Sequence, residues 1–200
     1  RGSFQSSWKH AGIGNGFVIK FFNEAKRFGW QARQSNNSDD LIELRSQRQK
    51  QAEAQALQKK KADELKHLKA HRIAAQLISN AVLCYEHQYL KLADTKPYGA
   101  YTAEKILFNG RYFINPLLIP LYNGETHEIS SVQLITADGH KEYLKGGKAD
   151  GAYFKIDGDP NKPKIITEGY KDACKIHEAT GQTVLCAFTA NNLKTVYDVL

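Results

Sequence analysis

The sequence predicts a mixed α/β fold, an α+β lobe leading into a Rossmann-like β-α-β unit. Three observations predict it. Near the end, an apolar run stops at a carboxylate and a glycine, passes into a helical pattern and reaches a second apolar run at 183–188. Upstream, residues 116–156 alternate short apolar runs with Asn-Gly and Asp-Gly pairs, strong short-range hairpin signals. Before them, residues 40–86 contain no Pro or Gly and are rich in Ala, Gln, Lys, Glu and Leu, the composition of a long helix.

The last of these units organises the rest. Lys164-Ile165-Ile166-Thr167 reads as a strand, Glu168-Gly169 as a turn, and a helix follows to about Thr180, with Gly181 placed as its left-handed stop. Thr183 to Phe188 is the next strand. Strands joined in this way are parallel with a right-handed crossover, and groups at their carboxyl ends line the ligand crevice. Glu168 stands at such an end. Asp172 lies one helical turn further and can face the same crevice. Two carboxylates there suit metal-assisted work on phosphates, because Mg²⁺ takes oxygen ligands and only one or two carboxylates from a protein. The plain alternative is a glutamate that ends a strand and partners a helix dipole.

Four segments precede or contain this unit. Residues 4–33 read as a small β element, with Phe17 to Phe22 as a strand and Phe28 to Ala32 as its return. Gly12, Gly14 and Gly16 precede a strand and not a helix, which argues against a phosphate loop. Residues 34–86 read as a polar linker and the long helix, with a break near Ser79-Asn80. Between Glu43 and Arg72 that helix carries nine Lys/Arg against four Asp/Glu, as a solvated spacer or a helix lying along a nucleic-acid backbone would. Its end changes character: Ile73, Ala74, Leu77, Ile78, Ala81, Val82 and Tyr85 form an apolar stripe that should dock on a core. His67 and His71 share a face, without a third metal ligand nearby in sequence.

Residues 87–162 read as one lobe. Its first part, 87–115, is mixed, with Lys105 and Arg111 as cations. Strands are expected at Leu117 to Leu121, His127 to Thr136 and Lys141 to Leu144. Lys145-Gly146-Gly147-Lys148 follows, two lysines around a glycine pair. Such a loop can bring backbone amides and ammonium groups to a phosphate, or it can be an ordinary surface loop. Residues 163–200 hold the β-α-β unit.

Composition bounds the function. The formal net charge is +7, which favours an anionic partner. The three cysteines, Cys84, Cys174 and Cys186, sit in mostly apolar contexts. They read as reduced thiols of a cytoplasmic protein. No Cys-x-x-Cys pair suggests a zinc ribbon. No run of about 18 apolar residues suggests a membrane span. The absence of any Met predicts that the chain is a fragment.

Several of these segments, taken in order, resemble one family. Glu168-Gly169-Tyr170-Lys171-Asp172-Ala173 resembles the first motif of the TOPRIM domain, shared by bacterial-type primases, topoisomerases and some nucleases. Ile176 to Gly181, Val184 to Phe188 and Asn192-Leu193 are similar to the primases of plasmids and prophages. His87-Gln88-Tyr89-Leu90-Lys91 resembles the His-Pro-Tyr-Leu step that opens their core, with Gln88 in place of proline. Tyr143 to Lys148 matches their lysine-bearing Tyr-Leu segment, although Glu142 stands where the family usually carries a cation. Gly16 to Ala32 resembles a glycine–aromatic segment ahead of the core. The likeness covers most of the chain.

The resemblance implies a DNA primase, a DNA-dependent RNA polymerase that makes primers for plasmid or phage replication, using Mg²⁺ or Mn²⁺. Glu168 would be the catalytic glutamate, as base or indirect metal partner, and Asp172 its electrostatic support. Arg111, Lys145 and Lys148 would hold phosphates. The implied partners are a single-stranded DNA template, the RNA primer and nucleoside triphosphates, with a helicase as a further candidate. A TOPRIM site also uses an Asp-x-Asp motif on a later strand. None is reached by Leu200, so little catalysis is expected from these residues alone. The rivals are a non-catalytic single-stranded nucleic-acid-binding module and a TOPRIM nuclease or topoisomerase. The net charge and the Lys145/Lys148 loop lead to a first expectation: single-stranded DNA should bind weakly, with affinity falling steeply as salt rises. Titration at two salt concentrations checks this, and salt-independent binding would remove the nucleic-acid reading.

Overall fold

A computed structural model describes residues 38–200, with side chains from residue 42 onward. The β element expected at 4–33 and the linker at 34–37 lie outside the described residues. The chain divides into units at 1–54 and 55–200. Of the first unit, the described part is the start of helix α1, Ser38–Ser79. The second unit carries the rest of that helix and all the other elements named below.

The fold is mixed α/β, a long helix followed by a mixed sheet. Helix α1 runs 42 residues, unbroken by Pro or Gly. Its residues 42–62 are exposed on every side, as their polar composition requires. Burial begins where small and apolar residues recur at i, i+4 and i+8. Ala70, Ala74 and Ile78 pack on Phe108, Leu118, Val132, Leu134 and Leu144. The expected apolar stripe is therefore only partly a docking face. Leu77 and Ala81 pack against this cluster, whereas Ile73, Val82 and Tyr85 are exposed. Ile73 lies off the line of Ala70, Ala74 and Ile78. Val82 and Tyr85 are not helical at all, because the helix stops at Ser79. The Ser79 hydroxyl donates to the Gln76 carbonyl at 3.1 Å, a local bond that competes with helix continuation. Strand β1, Val82–Leu83, then pairs antiparallel with β2, Tyr101–Thr102.

Between β1 and β2 lies the single turn α2, Gln88–Lys91. Its cap is His87, buried, whose Nδ1 accepts from the Tyr89 amide at 3.2 Å. Nε2 must then carry the proton, and it donates to the Asn115 carbonyl at 2.9 Å. The segment 87–115, mixed by sequence, also holds a hairpin. Strands β3, Lys105–Phe108, and β4, Arg111–Ile114, pair around Asn109-Gly110, both at positive φ as a tight hairpin turn demands.

Strand β5, Leu117–Asn123, is the centre of the main sheet. Its residues 117–121 are buried, and it pairs with β2, with β6 (Ile129–Ile135) and with β8 (Ala152–Ile156). Strand β7, Lys141–Tyr143, extends from β6. The Asn123-Gly124 hairpin is wider than two residues. Asn123 Oδ1 accepts from the amides of Glu125 and Thr126, and Gly124 N–H is drawn to the Gly151 carbonyl. Strand β6 accordingly starts at Ile129 and not at His127.

The terminal unit comprises β9, Ile165–Thr167, helix α3, Tyr170–Thr180, and β10, Val184–Cys186. β9 and β10 are parallel, and β10 pairs antiparallel with β8 on its other side. Gly181 stops α3 at φ 64, its N–H donating to the His177 carbonyl at 2.7 Å. The sequence predicts a buried strand before Glu168. The structure corrects this, because β9 ends the sheet order and all three of its residues are half-buried.

Helix α4, Asn192–Asp198, closes the described chain. Asn192 is buried, and its side chain joins three segments. Oδ1 accepts from the Gly151 amide at 2.8 Å, and Nδ2 lies 3.0, 2.8 and 2.9 Å from the carbonyls of Ala149, Ala152 and Ala187. Replacing it with leucine of similar size would leave those groups unpaired. Buried unpaired groups cost about 1–3 kcal/mol each, so Asn192→Leu should destabilise by at least about 3 kcal/mol. In a chain of this size that lowers the melting temperature by roughly 10 °C. Asn191→Ala, at an exposed position, should change it little in the same calorimetric comparison.

Candidate active site

The site is built where β9 and β10 end. Their register sets Thr167 opposite Cys186, and the Ala187 amide donates to the Thr167 carbonyl at 2.8 Å. Both strands therefore stop at one level. Glu168 follows at once and is exposed. Gly169 is the N-cap of α3, at φ −101 and ψ 139, and no side chain caps the helix. Asp172 sits in the first turn, where the helix dipole favours a carboxylate. A Cβ on Gly169 would lie 2.7 Å from Asp172 Oδ2. The glycine is thus needed for the Asp172 carboxylate to fold over the turn. Tyr170, Ala173 and Cys174 anchor the opposite face of the helix in the core, with the Tyr170 ring edge-on to Phe154 at 5.5 Å.

Glu168 and Asp172 line one cavity of about 290 Å³, shared with Gln133, Lys141, Tyr143, Gly169, Tyr170 and Phe188. The far wall is aromatic and fixed. The Tyr143 hydroxyl donates to the Phe188 carbonyl at 3.1 Å, and the two rings meet edge to face at 6.4 Å. Burial, with a smaller push from nearby negative groups including Glu168, raises the Tyr143 phenol to about 12. It therefore keeps its proton at neutral pH and acts as a donor. Phe188 holds φ 67, an uncommon left-handed conformation for a bulky residue.

The three cations expected at phosphates lie elsewhere. Arg111 meets Glu142, and its guanidinium stands over the Phe113 ring at 5.5 Å. Asn109 donates to Glu142 at 2.7 Å. That bond first, and Arg111 second among the attractive groups, hold the Glu142 carboxyl below the usual range. Lys145 is exposed, and its backbone N–H donates to Asn109 Oδ1 at 2.9 Å. Lys148 lines a second cavity of about 340 Å³ with His67 and His71. None of the three lines the carboxylate cavity. Of the glycine pair between the lysines, Gly147 serves packing, since a Cβ there would run into Ser131 Oγ, and Gly146 serves the turn at φ 81.

Nor do His67 and His71 face each other as a free pair. Their Nδ1 atoms donate to the carbonyls of Gly146 and Ile129 at 2.8 and 2.6 Å, which pins α1 to the sheet. Among the described residues no group of three His, Cys, Asp or Glu is arranged around one ion. A larger cleft, about 620 Å³, is lined by Tyr85 to His87, Lys91, Asp94 to Pro97 and Glu178. Its Glu178 is already engaged by the Tyr98 hydroxyl at 2.8 Å and the Lys96 amide at 3.1 Å. The cation that does line the carboxylate cavity is Lys141, which by sequence is only the start of a strand. Its alternation with Tyr143, two residues on, was the signal that could have placed both on one face.

The chain is similar to a known protein. Over 86 residues, 41% of this chain, it is 30% identical to the DNA primase TraC of Escherichia coli, and the match covers 6% of that protein. No family model matches, and no solved structure matches. The similarity is of primase type.

Gly169→Ala isolates the Asp172 geometry. The backbone angles at Gly169 are open to alanine, and the group in the way is the end of a flexible side chain. The melting temperature should therefore change by only about 3 °C or less, while the Asp172 carboxylate turns away from the cavity. The carboxyl-carbon NMR signal of Asp172 should move at constant pH, and that of Glu142 should stay unaltered.

Proposed function

We propose that this chain contributes the first acidic motif of a Mg²⁺-dependent, primase-type nucleotidyltransferase acting in DNA replication. The observation that carries the reading is the convergence of Glu168 and Asp172 on one cavity at the carboxyl end of a parallel strand. The similarity to a DNA primase supports it. The donor set fits the metal. Two carboxylates are hard oxygen ligands of the number Mg²⁺ takes from protein, and the missing Cβ of Gly169 leaves room for Asp172 beside Glu168. The Asp-x-Asp motif that the TOPRIM resemblance implies would complete the set.

In this reading Glu168, the residue that directly follows the end of β9, is the group that acts on the reacting phosphate. It would take the proton of the attacking 3′-hydroxyl or align the ion's water shell. Asp172, held by the first turn of α3, would add negative charge without itself moving. Bound Mg²⁺ would supply charge stabilisation for the transferred phosphoryl group and the departing pyrophosphate. Tyr143 and Phe188 would wall off water on one side. The substrates are then nucleoside triphosphates, a single-stranded DNA template and the growing RNA primer. Lys145 and Lys148, exposed on their loop, would meet strand phosphates away from the carboxylates.

Glu168→Gln tests the assignment in the full-length protein. The side chain is exposed on a half-buried edge, so packing should be nearly unchanged, and only the anion is lost. Primer synthesis should fall by at least about 100-fold, the usual scale for a lost acid–base group, with the melting temperature unchanged. Synthesis at the wild-type rate would show that Glu168 is not in the reaction. A large drop in melting temperature would make it a structural residue.

A further inference from the structure

Lys141 opens β7, and its side chain lines the cavity of Glu168 and Asp172. It is exposed, and among the described residues it belongs to none of the ion pairs. An ammonium that only balanced the two carboxylates would sit on one of them. This one shares their cavity without closing on either. The neighbouring strand residue, Glu142, has its carboxylate turned to Arg111 and Asn109, so it does not neutralise the cavity. The other polar wall group, Tyr143, spends its hydroxyl on the Phe188 carbonyl. Lys141 is thus the cationic donor of this cavity among the described residues.

The chemistry this selects is an anion that also carries a divalent ion. Carboxylates alone repel phosphate, whereas an ammonium opposite them pairs directly with a phosphate oxygen through a charge-assisted hydrogen bond. Lysine suits a polyphosphate because it is a compact charge with three rotatable donors, indifferent to the orientation of the tail. Size narrows the choice further. About 290 Å³ lies at the low end of ligand pockets, which run from roughly 300 to 1,000 Å³. It suits a triphosphate tail better than a whole nucleotide.

We infer that Lys141 is a phosphate-binding residue for a nucleoside triphosphate, holding the polyphosphate tail against the Glu168–Asp172 pair. The inference rests on the reading of this cavity as a nucleotidyl-transfer site. No bond to Lys141 forms or breaks, since its part is charge and position.

The test is calorimetric titration of the full-length protein with ATP and Mg²⁺ at low salt, on the wild type and on Lys141→Ala, Lys141→Gln and Lys141→Arg. Losing a charge-assisted bond should weaken ATP binding about 10-fold or more in the Ala and Gln variants, and Arg should restore it to within about 3-fold. Adenosine, with no phosphate, should bind all four alike. Thermal melting of each variant guards against unfolding, and Gln keeps the side-chain length should Ala prove unstable. ATP affinity equal to wild type in folded Lys141→Gln would overturn the inference, as would a wild type that binds no ATP. It would also be overturned if Lys141→Gln weakened a single-stranded oligonucleotide and left ATP untouched, which would make the site one for strand phosphates. Primer synthesis is measured in parallel. A protein that binds ATP through Lys141 yet makes no primers would sink the primase reading and leave this one standing.

Discussion

The arrangement depends on where two parallel strands stop. Thr167 and Cys186 are register partners, and the Ala187 amide closes the last rung on the Thr167 carbonyl. One residue of slip would turn every side chain in β9 to the opposite face. It would also carry Glu168 away from the level of Phe188. The register is held from both sides. Helix α3 buries Tyr170, Ala173 and Cys174 beneath β10, and Asn192 ties the Ala187 carbonyl to the loop before β8 and to its first residue. A site of exposed carboxylates is thus built on a buried frame, which lets its charges change while the backbone stays fixed.

Charge is distributed unevenly over the lobe, and net charge alone would mislead. The +7 balance suggests a surface of free cations, yet Arg111 is matched by Glu142 and Lys91 by Glu86. Exposed pairs of this kind contribute little stability. Their effect is to remove local positive charge. Glu142 silences the arginine beside it. Lys145 and Lys148 remain exposed on the Gly146-Gly147 turn, and Lys141 remains exposed on the strand before it. Most of the excess lies on α1, where residues 43–72 carry nine Lys/Arg against four Asp/Glu, while Lys141, Lys145 and Lys148 fall on one short stretch whose first residue lines the carboxylate cavity.

Much of this was legible in the sequence, for local reasons. The β9–α3–β10 unit announced itself through an apolar run, a glycine turn and a left-handed stop at Gly181, each of which is set by nearby residues. So did the hairpins around Gly124 and Gly139. Misreadings arose where tertiary contacts decide. Ala81, Val82 and Tyr85 continue a helical apolar period, but a side-chain bond at Ser79 and a strand partner at Tyr101–Thr102 take the chain elsewhere. Asn109-Gly110 carried the same hairpin signal as its neighbours within a segment that looked mixed. Glu168 and Asp172 could be placed together because both belong to one local unit. Lys141 could not, because it is brought to them by the pairing of β7 on β6 and of β6 on β5.

That distant contribution explains why the lobe and the terminal unit are built as one sheet. β8 bridges them, pairing with β5 on one side and β10 on the other, so the carboxylate-bearing strand and the lysine-bearing strand share a continuous hydrogen-bonded frame. Helix α1 braces the same frame from another face. The His67 and His71 rings donate to the Gly146 and Ile129 carbonyls, and Ala70, Ala74 and Ile78 seal the contact. Because carbonyl oxygens only accept, both Nδ1 atoms carry protons. The loop that carries Lys145 and Lys148 is thereby anchored beneath the helix.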